Sequence, residues 1–126
     1  MTRINVGINP VVLSNAHLNA EHREIKRIPN TIKSGKAKII DIPENFTLGK
    51  GHVKFFYNKL QYLKNRYDLI YNECIKRGIN VTSYHNSFLD LPEHLYNDYI
   101  PTKSDIDIIS QRLIEKDEDY YIDRLL

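Results

Sequence analysis

Phe56-Tyr57-Asn58-Lys59-Leu60-Gln61-Tyr62-Leu63-Lys64-Asn65-Arg66-Tyr67-Asp68-Leu69-Ile70-Tyr71-Asn72-Glu73-Cys74 is the stretch on which the fold turns. Phe56, Leu60, Leu63, Tyr67, Ile70 and Cys74 recur at steps of four and three, which draws a single apolar stripe along a helix. The spacing predicts a long helix over about residues 50–77 with that stripe as its core face. Lys76-Arg77-Gly78 closes it: cations lie near the negative end of the helix, and a glycine follows that can take the left-handed conformation. Phe55 and Phe56 read as core.

On the N-terminal side, Ser14 or Asn15 caps a first helix of about residues 14–27, with Leu18 and Ile25 seven apart on one side and Pro29 marking its end. On the C-terminal side a third helix begins near Thr102 or Ser104 and runs to about Lys116, burying Ile106, Ile109 and Leu113. Asp90-Leu91-Pro92-Glu93 has the spacing of a capping box, while Pro43-Glu44-Asn45 and residues 80–86 read as surface connections. No pair of alternating segments suggests a hairpin. The expectation is an all-α chain of about three main helices with irregular connections, residues 1–126 forming one domain, a length that suits a single core.

Apolar runs are only a few residues long, and the first ten residues lack the layout of a secretory signal, so a soluble intracellular protein is expected. The solitary Cys74 has no partner for an internal disulfide or a zinc pattern, and its place on the helix face predicts burial. The net charge of +2 conceals a strong asymmetry. Residues 1–77 carry 14 Lys+Arg against 6 Asp+Glu, a balance of +8, and residues 78–126 carry 4 against 10, a balance of −6. The first half is therefore the candidate face for a polyanion, and the acidic second half favours a directional footprint over a uniform coat.

On the first helix, His17, Glu21 and Glu24 fall within about 60° of one another at about 100° per residue, with Ala20 alongside. Arg23 and Arg27, four apart, occupy a neighbouring face, so a phosphate backbone can cross the helix while a carboxylate looks toward a sugar. The same spacing also describes a solvated helix whose acids and arginines pair at the surface. One His and two Glu resemble part of a metal ligand set, but the Glu-x-x-His and His-Glu-x-x-His patterns are missing, and neither metal nor organic cofactor is expected. His52, His85 and His94 each stand alone.

Met1-Thr2-Arg3-Ile4-Asn5, the run from His17 to Arg27, and Leu48-Gly49-Lys50-Gly51-His52-Val53-Lys54-Phe55-Phe56-Tyr57 resemble the pyrimidine dimer DNA glycosylases of T-even phages. The likeness continues through Glu73-Cys74-Ile75-Lys76-Arg77-Gly78, Asp98-Tyr99-Ile100-Pro101 and Ile109-Ser110-Gln111-Arg112-Leu113. The resemblance implies removal of the initiator methionine and attack by the α-amine of Thr2 on the sugar C1′ of a damaged nucleotide. A Schiff base and strand cleavage by β-elimination then follow. It implies that Glu24 is the catalytic carboxylate, that Arg3, Arg23 and Arg27 stand around the lesion, that His17 orders helix and DNA backbone, and that Arg112 and Lys116 hold the duplex. The implied partner is double-stranded damaged DNA, bound by a monomer with no membrane, and the implied source is a phage or virus. A terminal amine suits the role, since its ordinary pKa of about 7.7–8, against about 10.4 for lysine, leaves far more of it neutral near pH 7.

The chain departs from the family pattern in several places. It has no Trp and ends Asp117-Glu118-Asp119-Tyr120-Tyr121-Ile122-Asp123-Arg124-Leu125-Leu126, where the family has a tryptophan-containing tyrosine cluster. His22 replaces tyrosine, Lys26 proline and Tyr67 glutamine, and the segment between Arg27 and Phe46 is shorter. A cyclobutane pyrimidine dimer is the leading substrate. Another damaged or modified base, and a noncatalytic DNA- or partner-binding role on the same scaffold, are the competing readings.

Overall fold

The stripe from Leu60 to Cys74 organises the molecule, which a computed structural model describes over residues 1–126. The α-helices are α1 (Asn15–Ile25), α2 (Arg27–Lys33), α3 (His52–Phe55), α4 (Leu60–Lys76), α5 (Lys103–Lys116) and α6 (Glu118–Leu125), with short 3₁₀ turns and no strands between them. Leu60, Leu63, Tyr67, Ile70 and Cys74 are buried on one face of α4, which packs against α1. Its end follows the expected chemistry. Gly78 has φ +74°, its N–H donates to Ile75 O at 3.0 Å, and Ile79 N–H donates to Cys74 O at 2.9 Å, so the last carbonyls are satisfied.

Upstream, the single long helix expected over residues 50–77 is divided. After the one turn of α3, Phe56–Asn58 tightens into a 3₁₀ turn, and Lys59 leaves the helical region at φ −128°, ψ 42°. Side-chain packing supplies the reason. Phe55 and Phe56 are both buried, which adjacent residues on one straight helix, about 100° apart, achieve poorly. The turn lets both rings enter an edge-to-face cluster with Phe46 and Tyr99. Lys59 Nζ closes the break by donating to Phe55 O at 3.0 Å.

The first helix also ends earlier than expected. Ser14 is its cap, accepting from His17 N–H at 3.2 Å, and Leu18 and Ile25 are buried, but α1 stops at Ile25. Pro29 lies inside α2, within its first turn, where backbone N–H groups have no helical partner and a proline costs little. Thr102 caps α5 in a reciprocal box with Asp105, burying Ile109 and Leu113 with Ile106 partly covered. The Asp90–Glu93 spacing forms no such box: Pro92 precedes the 3₁₀ turn Glu93–Leu95 with no side-chain cap.

α6 lies where sequence alone suggested an acidic tail. Asp117, at φ −154°, separates it from α5 and caps it by accepting from Tyr120 N–H, and Tyr121 is fully buried. The N-terminal segment is equally built in. Ile4, Val6 and Ile8 join one core with side chains from all six helices. Ile4 N–H donates to His52 Nε2 at 3.0 Å, and Ile8 O accepts from Arg66 Nη1 at 2.6 Å. Two departures from the family pattern meet inside the molecule: the Tyr67 hydroxyl stands 2.9 Å from His22 Nε2, and both residues are buried. No helix is long and apolar enough to cross a membrane.

Candidate active site

A cleft of about 220 Å³ opens between the N-terminal segment, α1 and α5, lined by Met1, Arg3, Asn5, His17, Ala20, Glu21, Glu24 and Arg112. Its floor is an ion pair. Arg66, reaching across from α4, donates through Nε to Glu21 Oε2 at 2.7 Å and through Nη2 to Oε1 at 3.0 Å. Asn5 Nδ2 donates to the same Oε1 at 2.8 Å. Burial works against the charge on Arg66, but the Glu21 carboxylate and its hydrogen bonds hold the guanidinium above its ordinary pKa. Such a pair is costly to break from one side, because the remaining charge is left without a partner in the interior.

The floor separates two acids that helix spacing left equivalent. Glu21 is fully occupied by Arg66 and Asn5 and has no exposed side-chain surface. Glu24, one turn along, keeps 15% of its side chain exposed and faces the cleft. Its Oε1 accepts the Arg3 backbone N–H at 3.1 Å, and its Oε2 lies 3.7 Å from Nη2 of the exposed Arg23. Because Thr2 N is joined to Arg3 N through only two intervening backbone atoms, it lies no more than about 7 Å from Glu24 Oε1. Met1 reaches the cleft mouth, with Sδ 3.1 Å from Arg3 Nη2.

Cations surround this carboxylate. Burial, then the charge of Arg112, lowers the pKa of the Arg3 guanidinium, with Glu24 opposing them. Arg3 Nε and Asn5 Oδ1 are buried without a hydrogen-bond partner. His17 stacks on Tyr121 with ring centroids 5.4 Å apart, and its Nδ1 stands 2.6 Å from the Tyr121 hydroxyl. Burial, followed by Arg112, lowers its pKa, which favours the neutral ring.

Of the residues singled out from sequence, Arg3, His17, Glu24 and Arg112 converge on the cleft, Thr2 sits half-buried at its edge, and Arg23 flanks it through Glu24. Arg27, exposed at the start of α2, and Lys116, exposed at the end of α5, lie outside the lining. His52, which stands alone in the sequence, carries no local signal of its role. It accepts the Ile4 N–H through Nε2, so its Nδ1 carries the proton and donates to Thr47 O at 2.9 Å. This clamp fixes the segment carrying Thr2 and Arg3. The Asn5–Glu21–Arg66 network is equally hidden in the sequence, since the Glu21–Arg66 partners are 45 positions apart and leave no local signature.

This cleft lies within the part of the chain that compares with known proteins, apart from Arg112. Residues 1–87 match the family model described as pyrimidine dimer DNA glycosylase, a match that takes in the N-terminal segment, all of α1 and α4, and the His52 clamp. With most of its length matched, the chain belongs to the pyrimidine dimer DNA glycosylase family.

Proposed function

We propose that the chain is a DNA glycosylase with abasic-site lyase activity that excises cyclobutane pyrimidine dimers, using the α-amine of Thr2 once Met1 is removed. The observation that carries the reading is the Arg3 N–H to Glu24 hydrogen bond, which ties the start of the chain to the carboxylate that faces the cleft. In this mechanism the neutral amine forms a bond to C1′ as the glycosidic bond breaks and the departing base takes up a proton. Opening of the sugar ring gives the protonated imine. Loss of a C2′ proton then expels the 3′ phosphate, and water releases the enzyme.

Glu24 is the group that stabilises cationic character at the sugar and moves protons during imine formation and elimination. Arg3 and Arg112 line the same cleft as this carboxylate. With His17 they hold phosphate and sugar oxygens at the cleft, while Arg23, Arg27 and Lys116 extend the contact along the duplex. The C1′ atom lies inside a stacked helix, so the enzyme acts on a distorted site or moves a nucleotide out of the stack.

Incision assays on duplexes carrying a dimer, an alkylated base or an abasic site test the reading. The parent is expected to cut the dimer and abasic duplexes, and Glu24→Gln to bind both with near-normal affinity while losing at least about a hundredfold in incision. Incision of the alkylated duplex alone moves the substrate to another base. Equal activity in parent and variant removes the role of Glu24.

A further inference from the structure

α6 lies beyond the matched residues 1–87, yet it packs one side chain against His17, which lines the cleft. Tyr121 is fully buried, and its hydroxyl sits in a knot at the start of α1. It accepts the Ser14 N–H at 3.0 Å and has two neighbours for its single proton: His17 Nδ1 at 2.6 Å and Ser14 Oγ at 3.2 Å. The shorter contact has the length of an O–H donor bond, below the usual 2.9–3.0 Å of an N–H donor, and an imidazole nitrogen is the more basic acceptor. These lengths and basicities favour Nδ1 as the acceptor, a nitrogen that Ser14 Oγ also approaches at 3.2 Å. Ser14 Oγ is meanwhile engaged as acceptor of the His17 N–H at 3.2 Å.

We propose that Tyr121 is a positioning residue: its phenol donates to His17 Nδ1, fixes the imidazole as the Nε2–H tautomer, and so presents a hydrogen-bond donor to a phosphate or sugar oxygen in the cleft. The value of that donor to catalysis rests on the proposed glycosylase reading; the tautomer does not. Ring stacking holds the imidazole plane, and the hydroxyl sets which nitrogen carries hydrogen. Neutrality of the ring, favoured by burial and by Arg112 and Lys116 against Asp117 and Glu21, makes the choice of tautomer matter, since a charged ring would donate from both nitrogens.

Nitrogen-15 NMR of the imidazoles in the folded, DNA-free parent decides the structural half. The expected spectrum has His17 Nε2 protonated and Nδ1 bare, and a protonated Nδ1 overturns the proposal whether or not the protein cuts DNA. The functional half is a double-mutant cycle on single-turnover incision of an abasic duplex. Tyr121→Phe keeps the stacked ring and removes the hydroxyl, and should slow incision about tenfold, as the loss of one oriented donor does. In a His17→Ala background the same change should cost less than about twofold, because its effect passes through the imidazole. An equal loss in both backgrounds identifies a general packing effect and overturns the positioning role. A parent inactive on every duplex defeats the glycosylase reading and with it this role for Tyr121, while leaving the NMR result to stand by itself.

Discussion

His52 shows how one side chain links the amino terminus to pH. Its Nε2 must stay bare to accept the Ile4 N–H, and burial, with Arg3 and Arg112, outweighs the Thr47 carbonyl and Glu21 to push its pKa down to about 4. The unfolded chain has an ordinary histidine near pH 6.5 and therefore binds the proton first. Stability from this residue is complete above about pH 6.5, is lost as the pH falls toward about 4, and amounts to about 3 kcal/mol. Burial lowers the pKa of His17 and His22 too, adding losses of the same sign. Urea midpoints should fall steadily from pH 7 to pH 4.5, and less steeply in His52→Gln, which keeps an acceptor and a donor but does not titrate. A flat parent profile over that window contradicts the clamp. Little of this was legible from residues alone. Glu24 and His17 are visible as one helix face, but the Ile4–His52 bond spans 48 positions and follows only from the assembled fold.

At the scale of elements, local chemistry was readable and long-range packing was not. Ser14, Thr102 and the left-handed stop at Gly78 act within a turn of themselves, and each performs as its sequence implies, whereas Arg77 reaches the Pro10 and Leu13 carbonyls of the N-terminal segment. The break at Phe56–Lys59 arises instead from competition for the core between adjacent phenylalanines, and α6 forms because Tyr121 finds Ser14 and His17 across the molecule. Gly7 marks another such junction. It has φ +71°, and a Cβ there would lie 2.4 Å from Cγ1 of Ile106 on α5. Gly7→Ala should destabilise the fold by about 2–4 kcal/mol, combining backbone strain with overpacking. Adding Ile106→Ala should relieve the crowding in the glycine variant but leave the conformational strain. Chemical denaturation of the four proteins checks this, and an unchanged Gly7→Ala midpoint contradicts the close approach of the N-terminal segment to α5.

Across the whole molecule, the charge halves seen in sequence do not remain two separate faces. Arg112 comes from the acidic half yet stands in the cleft beside Arg3 and Glu24, and Tyr121 comes from the most acidic segment yet turns its ring inward to His17. Folding thus gathers the cleft from residues near both ends of the chain, with the Glu21–Arg66 pair as its floor. The account depends on the nitrogen of Thr2 being freed beside Glu24. Borohydride reduction during reaction with an abasic duplex, followed by mass mapping of the trapped peptide, tests this most directly. The predicted product is a covalent adduct on a peptide that begins at Thr2 and lacks Met1; an adduct on a lysine side chain, or strand cleavage with no trapped protein, would contradict it.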